Sequence, residues 1–314
     1  MVDCKKQMDT PKICNLPKKI LLTGANGFLG SIMQIEWKGL HEIITLGRNK
    51  NAMVICDLSS QTPAIPPVEI IVHAAGKAHI VPKTDTEKED FFRVNVQGTQ
   101  NLLTASDNNQ SLRKFVFISS VSVYGLTTGN DIDEDYPLLA TDPYGKSKLE
   151  AEKIVADWCI KKNILFYILR LPLVAGQSAP GNLGAMVRGI KSGKYFSIGK
   201  ANAKKSIVLA KDVANFIATI SGPSGIYNLT DGYHPSFSEL EYKIAKFYKK
   251  KKPLSLPVVA AKILGVAGDI IGSKFPVNSN KLKKITSTLT FNDSKARKLL
   301  KWNPRQVLDA WEIE

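Results

Sequence analysis

Acidic residues are in short supply in this chain. Asp and Glu number 28 against 43 Lys and Arg, which leaves a formal net charge of +15 over 314 residues. That balance excludes an acidic tail and raises nucleic acid as a partner. A nucleic-acid face groups Lys and Arg with aromatics; here the positives are scattered, apart from Lys249–Lys252. The run reads as the exposed end of a helix ahead of Pro253, and the remainder as a solvated basic surface that suits diphosphate ligands. Cysteine is scarce as well. Cys4, Cys14, Cys56 and Cys159 form no CxxC pair and no zinc spacing, so no metal site is expected. Scattered thiols fit a reducing compartment. Long apolar runs are missing. Met1 to Pro17 is polar, with no stretch suited to a signal peptide. The longest apolar-leaning stretch, Val258–Gly272, has only 15 residues and carries Lys262 and Asp269, too short to span a bilayer. The expectation is a cytoplasmic protein without a membrane span or bound nucleic acid.

What is present is alternation. Lys18–Thr23, Glu42–Leu46, Val54–Cys56, Glu69–His73, Lys114–Ser119 and Ile164–Leu169 are short apolar runs of strand length. Helical spacing lies between them, at Phe91–Ala105 and Leu149–Ile160 for example. Strands alternating with helices imply crossover connections and a doubly wound parallel α/β sheet. After Pro172 the alternation weakens. Gly176–Gly184 reads as a loop; Asn182–Lys194, Asp212–Ile220 and Ser236–Lys249 as helices; Ile226–Leu229 as a late strand. This divides the chain into an irregular lead-in (1–17), a dinucleotide-binding domain (18–172) and a smaller C-terminal substrate-binding lobe with some returning elements (173–314).

The stretch Thr23-Gly24-Ala25-Asn26-Gly27-Phe28-Leu29-Gly30 follows a strand and opens a helix. Gly24 permits a tight turn, Gly27 lets backbone approach a pyrophosphate, and Gly30 lets helix and strand pack closely. The helix N-terminus then offers free N–H groups to phosphate. The second strand ends Leu46-Gly47-Arg48, with no carboxylate for a ribose 2′-hydroxyl. Arg48 can pair with a 2′-phosphate, which favours NADP over NAD. Asp57, with Leu58 beside it, is placed to meet the adenine.

A second constellation follows. In Asp142-Pro143-Tyr144-Gly145-Lys146-Ser147-Lys148, the four-residue spacing sets Tyr144 and Lys148 on one helix face. Pro143 suits the helix start. A fixed ammonium and a nicotinamide cation are expected to favour the phenolate, making Tyr144 an acid or base for a sugar hydroxyl. Ser120 ends a buried strand 24 residues earlier. It is placed to hydrogen-bond the substrate oxygen, with Ser122 close by. The acidic run Asp133-Glu134-Asp135 reads as a solvated face.

These motifs, in this order, resemble the extended short-chain dehydrogenase/reductase family, its NAD-dependent epimerase/dehydratase group, from about Lys18 to about Arg305. The resemblance implies a Rossmann-type fold. It assigns His73-Ala74-Ala75-Gly76 and Asn95 to the cofactor side of the cleft, with Gly24, Asn26, Gly27, Phe28, Leu29, Gly30, Tyr144 and Lys148. From Leu169 onward the chain is similar to bacterial sugar-nucleotide 4-epimerases and 4-ketoreductases that serve surface-polysaccharide precursors. Asn182 matches a position that contacts the nucleotide diphosphate, and Lys205 stands where relatives carry an arginine. Lysine keeps the charge but loses the bidentate fork. Ala175 replaces a tyrosine of the family's segment. The implied activity is hydride transfer at C4 of a nucleotide-linked, UDP-bearing sugar, with Tyr144, Lys148 and Ser120 as catalytic residues, in a homodimer. The rivals are a dinucleotide-binding regulator without catalysis, which predicts a broken Ser/Tyr/Lys set, and a nucleic-acid binder, which predicts steep salt dependence.

Overall fold

In the computed structural model, residues 17–78, 80–271 and 279–313 are described. Cys4, Cys14 and all of the lead-in but Pro17 lie outside them. Seven parallel strands form the central sheet: β1 (Lys19–Thr23), β2 (Glu42–Gly47), β3 (Val54–Ile55), β4 (Ile70–His73), β5 (Lys114–Ser120), β6 (Leu165–Leu171) and β7 (Gly225–Asn228). Their order is β7-β6-β5-β4-β1-β2-β3. The order reverses at β1, so the crevice beyond its carboxyl end is the natural ligand position.

The central strands have apolar middles because helices cover both faces. Ile20 and Leu22 of β1 join Ile70, Val72 and Val116 on one face, where helix Phe28–Trp37 contributes Met33 and Trp37. Leu21 joins Ile71, Phe115 and Phe117 on the other, under Leu102, Ala151 and Val155. The second half of the chain returns to this sheet. Helix Ala210–Thr219 packs beside the first helix, and Trp37 Nε1 donates to Ala214 O at 2.9 Å. β7 adds the last strand, pairing Gly225–Asn228 with Tyr167–Arg170 of β6. A separate apolar cluster of Leu183, Met186, Ile190, Leu240, Ile244 and Trp311 underlies the C-terminal elements.

Two helices shape the site, one as expected from Pro143 and the Tyr144/Lys148 spacing, the other not. The run Leu149–Ile160 is part of a longer helix, Pro143–Lys162, capped by Asp142 accepting from Gly145 N at 3.0 Å. Its first turn is polar and carries no apolar period, yet the Asp cap and Pro143 at the helix start extend it over Tyr144 and Lys148. The run Phe91–Ala105 is broken into helix Asp85–Phe92, a π-helical turn Arg93–Gln97 and helix Gly98–Ser106. The wide turn holds Asn95, in keeping with the tendency of π-bulges to occur at functional positions.

Candidate active site

The glycine cradle is set by steric contacts that leave no room for side chains. Gly24 has φ +71°, and a Cβ on it would lie 2.6 Å from Ala75 N. A Cβ on Gly30 would lie 2.1 Å from Gly24 O and 2.8 Å from Ala25 Cα. Gly27 donates to Gly24 O at 2.9 Å and stands at the helix N-cap without a side-chain cap. The first-turn N–H groups of Phe28, Leu29 and Gly30 therefore have no intrahelical acceptor. This is the donor set and the space that a pyrophosphate requires, so the cradle fits a dinucleotide. Asn26, exposed in the same loop, adds a side-chain amide. A Gly30→Ala variant is expected to bind dinucleotide at least about tenfold more weakly and to lose about 1–3 kcal/mol of stability through overpacking. Titration and thermal melts check both.

Loops at the ends of neighbouring strands complete the cleft. Ala75 N donates to Thr23 Oγ1 at 3.1 Å, and Thr99 Oγ1 donates to Asn95 O at 2.6 Å. Between them lies His73, with Nδ1 2.7 Å from Thr23 Oγ1 and Nε2 3.0 Å from Thr99 Oγ1. The two fixed ends set every proton: Thr23 donates to Nδ1, and Nε2–H donates to Thr99. His73 is thus a neutral Nε2–H tautomer, and its ring ties β1 and β4 to the π turn. Burial, followed by the charge of Lys148, lowers its pKa to about 3. Between pH 6.5 and 3 the unfolded imidazole binds a proton that the native one refuses. Acidification through that window therefore costs up to about 1.4 kcal/mol per pH unit from this group. Denaturant unfolding at stepped pH should show a shallower acid slope in His73→Gln.

Asn95 bridges two segments. Its Oδ1 accepts from Lys77 N at 2.7 Å, and its Nδ2 donates to Lys77 O at 3.1 Å and Ser147 Oγ at 2.9 Å. A Cβ on Gly76 would sit 3.0 Å from Asn95 Oδ1 and 3.5 Å from Lys148 Nζ. The loop 74–76 therefore runs directly against the helix bearing Tyr144.

Ser120, Tyr144 and Lys148 come together at the carboxyl end of β5. The Ser120 hydroxyl lies beside the Tyr144 phenol, close enough to act on its pKa, and its Oγ donates to Ser122 Oγ at 3.2 Å. The half-buried Tyr144 ring lies 6.1 Å from that of Phe91. Lys148 is buried; its Nζ donates to Ile118 O at 2.7 Å and sits 4.3 Å from the Phe117 ring centroid. A Cβ on Gly145 would meet Ser122 O at 2.6 Å, and one on Gly125 would meet Leu139 O at 2.1 Å. These backbone contacts press the Ser120 and Tyr144 segments together.

The electrostatics correct one expectation. Burial raises the Tyr144 pKa above its ordinary value, the Ser120 hydroxyl opposes this, and Asp142 adds to it. The Lys148 ammonium, for its part, donates to Ile118 O. Burial lowers the Lys148 pKa to about 8, against the raising effect of Glu152. The phenolate then depends on a cationic nicotinamide or on ligand contacts.

Glu152, two turns from Tyr144, belongs to a buried network that the sequence reading missed. Arg170 forks onto it, with Nε to Oε1 at 3.1 Å and Nη2 to Oε2 at 2.8 Å. Ser119 Oγ donates to the same carboxylate. Arg170 Nη1 donates to Tyr124 OH at 3.0 Å, which donates to Asn228 Oδ1 at 2.9 Å. Burial opposes the Arg170 cation, yet the Glu152 contacts hold its pKa above the ordinary value. The available signal was a carboxylate at position i+4 from Lys148, among the buried Ala151, Val155 and Cys159. Glu134 is a further correction. Asp133 and Asp135 are exposed as expected, but Glu134 accepts from Asn228 N at 2.7 Å and burial raises its pKa.

The adenine-side residues stand at the ends of β2 and β3. Arg48 is 76% exposed and 4.0 Å from Asp57. Asp57 Oδ1 accepts from Ser59 N at 3.0 Å and Ser59 Oγ at 2.7 Å, contacts that lower its pKa, with the nearby arginines adding to the effect. A Cβ on Gly47 would meet nothing within 4 Å, and Leu58 is buried behind. The proposed diphosphate contacts lie elsewhere. Asn182 is exposed in the first turn of helix Gly181–Lys191. Lys205 is half-buried, its pKa lowered to about 8 by burial and then by Lys284. No hydrogen bond or ion pair among the described residues ties either one to Ser120, Tyr144 or Lys148.

Comparison with known proteins agrees with this geometry. The chain is 30% identical over 216 residues to the N-acetyl-alpha-D-glucosaminyl-diphospho-ditrans,octacis-undecaprenol 4-epimerase of Escherichia coli O157:H7, a match spanning 65% of each chain. It is 27% identical over 313 residues, 93% of each chain, to the UDP-glucose 4-epimerase of Vibrio cholerae. In fold it is similar to the structure of RMD from Pseudomonas aeruginosa complexed with NADPH (TM-score 0.70, 19% identity, 94% of this chain and 96% of that one). The model of the NAD dependent epimerase/dehydratase family matches residues 20–229, from the cradle through the Tyr144 helix to the last sheet strand. A match of that extent shows that the chain belongs to the NAD dependent epimerase/dehydratase family.

Proposed function

We propose that the protein is an NAD(P)-dependent 4-epimerase of a diphosphate-linked sugar, UDP-linked first of all, serving surface-polysaccharide precursors in the cytoplasm. The observation that carries this reading is the Ser120–Tyr144–Lys148 group, held by Gly145 and Asn95 beside the glycine cradle. A nicotinamide, when bound, supplies a reversible acceptor for the C4 hydrogen and its electron pair. Tyr144 takes the proton of the 4-hydroxyl and returns it. Ser120 donates to the C4 oxygen as its charge changes. Lys148, its ammonium aimed across the strand end, holds the cofactor's ribose, and the loop 74–76 lines the passage between them. Gly47 and Arg48 leave space and charge for a 2′-phosphate, so NADP is favoured over NAD. Asn182 and Lys205 are assigned to the substrate diphosphate. Two copies are expected to pair through helices Gly98–Ser106 and Pro143–Lys162.

The Escherichia coli relative favours a second reading, in which the same sugar diphosphate is carried by a polyprenol instead of a nucleoside. One assay separates the possibilities. Pure protein is incubated with UDP-glucose, UDP-N-acetylglucosamine and a polyprenyl-diphosphate sugar, each with NAD or NADP, and with a 4-keto nucleotide sugar and NADH or NADPH, while reduced-nicotinamide absorbance and products are followed. Formation of the C4 isomer without net cofactor consumption is the expected result. Stoichiometric consumption of reduced cofactor with the keto sugar alone would make the protein a reductase. Tight dinucleotide binding without any turnover would overturn the enzymatic reading.

A further inference from the structure

Helix Val258–Ile271 turns small residues inward and large apolar ones outward. Ala261 is buried, and a Cβ on Gly265 would touch Ser279 N at 3.4 Å. On the other side Val259, Ile263 and Val266 are 70%, 66% and 56% exposed. Steps of four and three place them in one stripe. Lys262 stands in that stripe, and Leu254, 75% exposed, precedes it. Single exposed apolar residues are ordinary on a soluble protein, but a contiguous patch marks a contact.

The charge around the stripe is mostly of one sign. From Tyr242 through Ile271 the chain carries seven lysines and one acid, Asp269, whose Oδ1 accepts from Ser279 N at 3.1 Å. Lys246 and Lys249–Lys252 are exposed, with Phe247 half-exposed between them. The neighbouring helix Ser279–Thr286 adds exposed Lys283 and Lys284. Among the described residues no helix is long and apolar enough to cross a membrane. A lysine-flanked apolar stripe matches the boundary between anionic headgroups and acyl chains. A second copy, also at +15, brings like charge to this face. Nucleic acid offers phosphates but no apolar layer for Val259, Ile263 and Val266.

We propose that helix Val258–Ile271 and the Lys249–Lys252 run form an interfacial anchor that docks this protein on an anionic lipid bilayer. The contact stands whichever carrier bears the sugar.

The test is sedimentation of the full chain with vesicles of phosphatidylglycerol and phosphatidylethanolamine, compared with vesicles of phosphatidylcholine alone. The wild-type protein should partition to the anionic vesicles at least about tenfold more strongly, and raised salt should weaken it. Val259→Gln/Ile263→Gln/Val266→Gln keeps helix-compatible residues and touches no core, so its melting temperature should match the wild type while vesicle binding falls about tenfold or more. Replacing Lys249–Lys252 by Gln should remove most of the preference for anionic lipid. Equal binding to both vesicle types, or an unaffected triple variant, would overturn the proposal. So would a stripe-dependent dimer without vesicle binding, or stripe-independent binding to mixed DNA alone.

Discussion

Tyr144→Phe should leave the fold and dinucleotide binding intact and slow turnover by about a thousandfold, within the range expected for loss of a positioned acid–base group. The change removes one oxygen. The ring stays half-buried, 6.1 Å from Phe91, and the helix keeps its Asp142 cap. What is lost is the hydroxyl beside Ser120, the proton carrier for a sugar hydroxyl. Because the chain itself raises the phenol's pKa, a bound cation is needed to favour the phenolate that accepts the substrate proton. The pH profile carries a second signature. Lys148, lowered to about 8 by burial, loses its ammonium above that pH, so kcat/KM of the wild-type enzyme should fall on the alkaline side from about 8. Steady-state kinetics with a cofactor titration would check both. A Phe variant within tenfold of the wild type would remove Tyr144 from the chemistry.

The second large effect is on stability. Glu152→Gln should cost about 3–5 kcal/mol, the usual penalty for stranding one member of a buried ion pair. Arg170 is 1% exposed and Glu152 2%, so water cannot replace the lost carboxylate charge. The guanidinium would keep only Tyr124 and a neutral amide. Ser119 would also lose a charged acceptor. Glu152→Leu/Arg170→Met, which removes both charges and retains volume, should recover a large part of the loss. Urea unfolding of the single and double variants measures the difference. The single variant should also push the Lys148 pKa further down, since Glu152 is the group that raises it. The alkaline limb of kcat/KM would then move to lower pH. A stable Glu152→Gln protein with an unmoved limb would separate the pair from the site.

Strands on both sides of the cleft could be read from the sequence because double-sided burial writes itself as an unbroken apolar run. Lys114–Ser119 needed one more residue to become β5, and that residue is Ser120. The glycine loop was readable for the same kind of reason: Gly24 and Gly30 occupy places where any Cβ would strike backbone. The catalytic helix was read from its apolar stripe over Leu149–Ile160 and, through Pro143 and the Tyr144/Lys148 spacing, back into polar residues, where the Asp142 cap fixes its start. The helix over Phe91–Ala105 kept its apolar spacing across a π turn, which periodicity does not reveal. Glu152 and Arg170 break the rule that charges face water, and only the fold shows that they meet. His73 was placed on the cofactor side as part of a motif, whereas its ring is occupied by Thr23 and Thr99. Helix spacing placed Lys148 with Tyr144, but it does not show that the ammonium also donates to Ile118 O.

The close approach of Gly125 to Leu139 and of Gly145 to Ser122 acts as a clasp. It shuts residues 126–138 into a loop whose two feet are fixed to each other. Length or composition can change within that loop without altering the distance between the serine and the tyrosine. Insertions and swaps there offer a route to new sugar preferences on an unchanged reaction centre, provided the contacts of Gly129–Ile132 with Leu289–Phe291 and of Glu134 with Asn228 are kept.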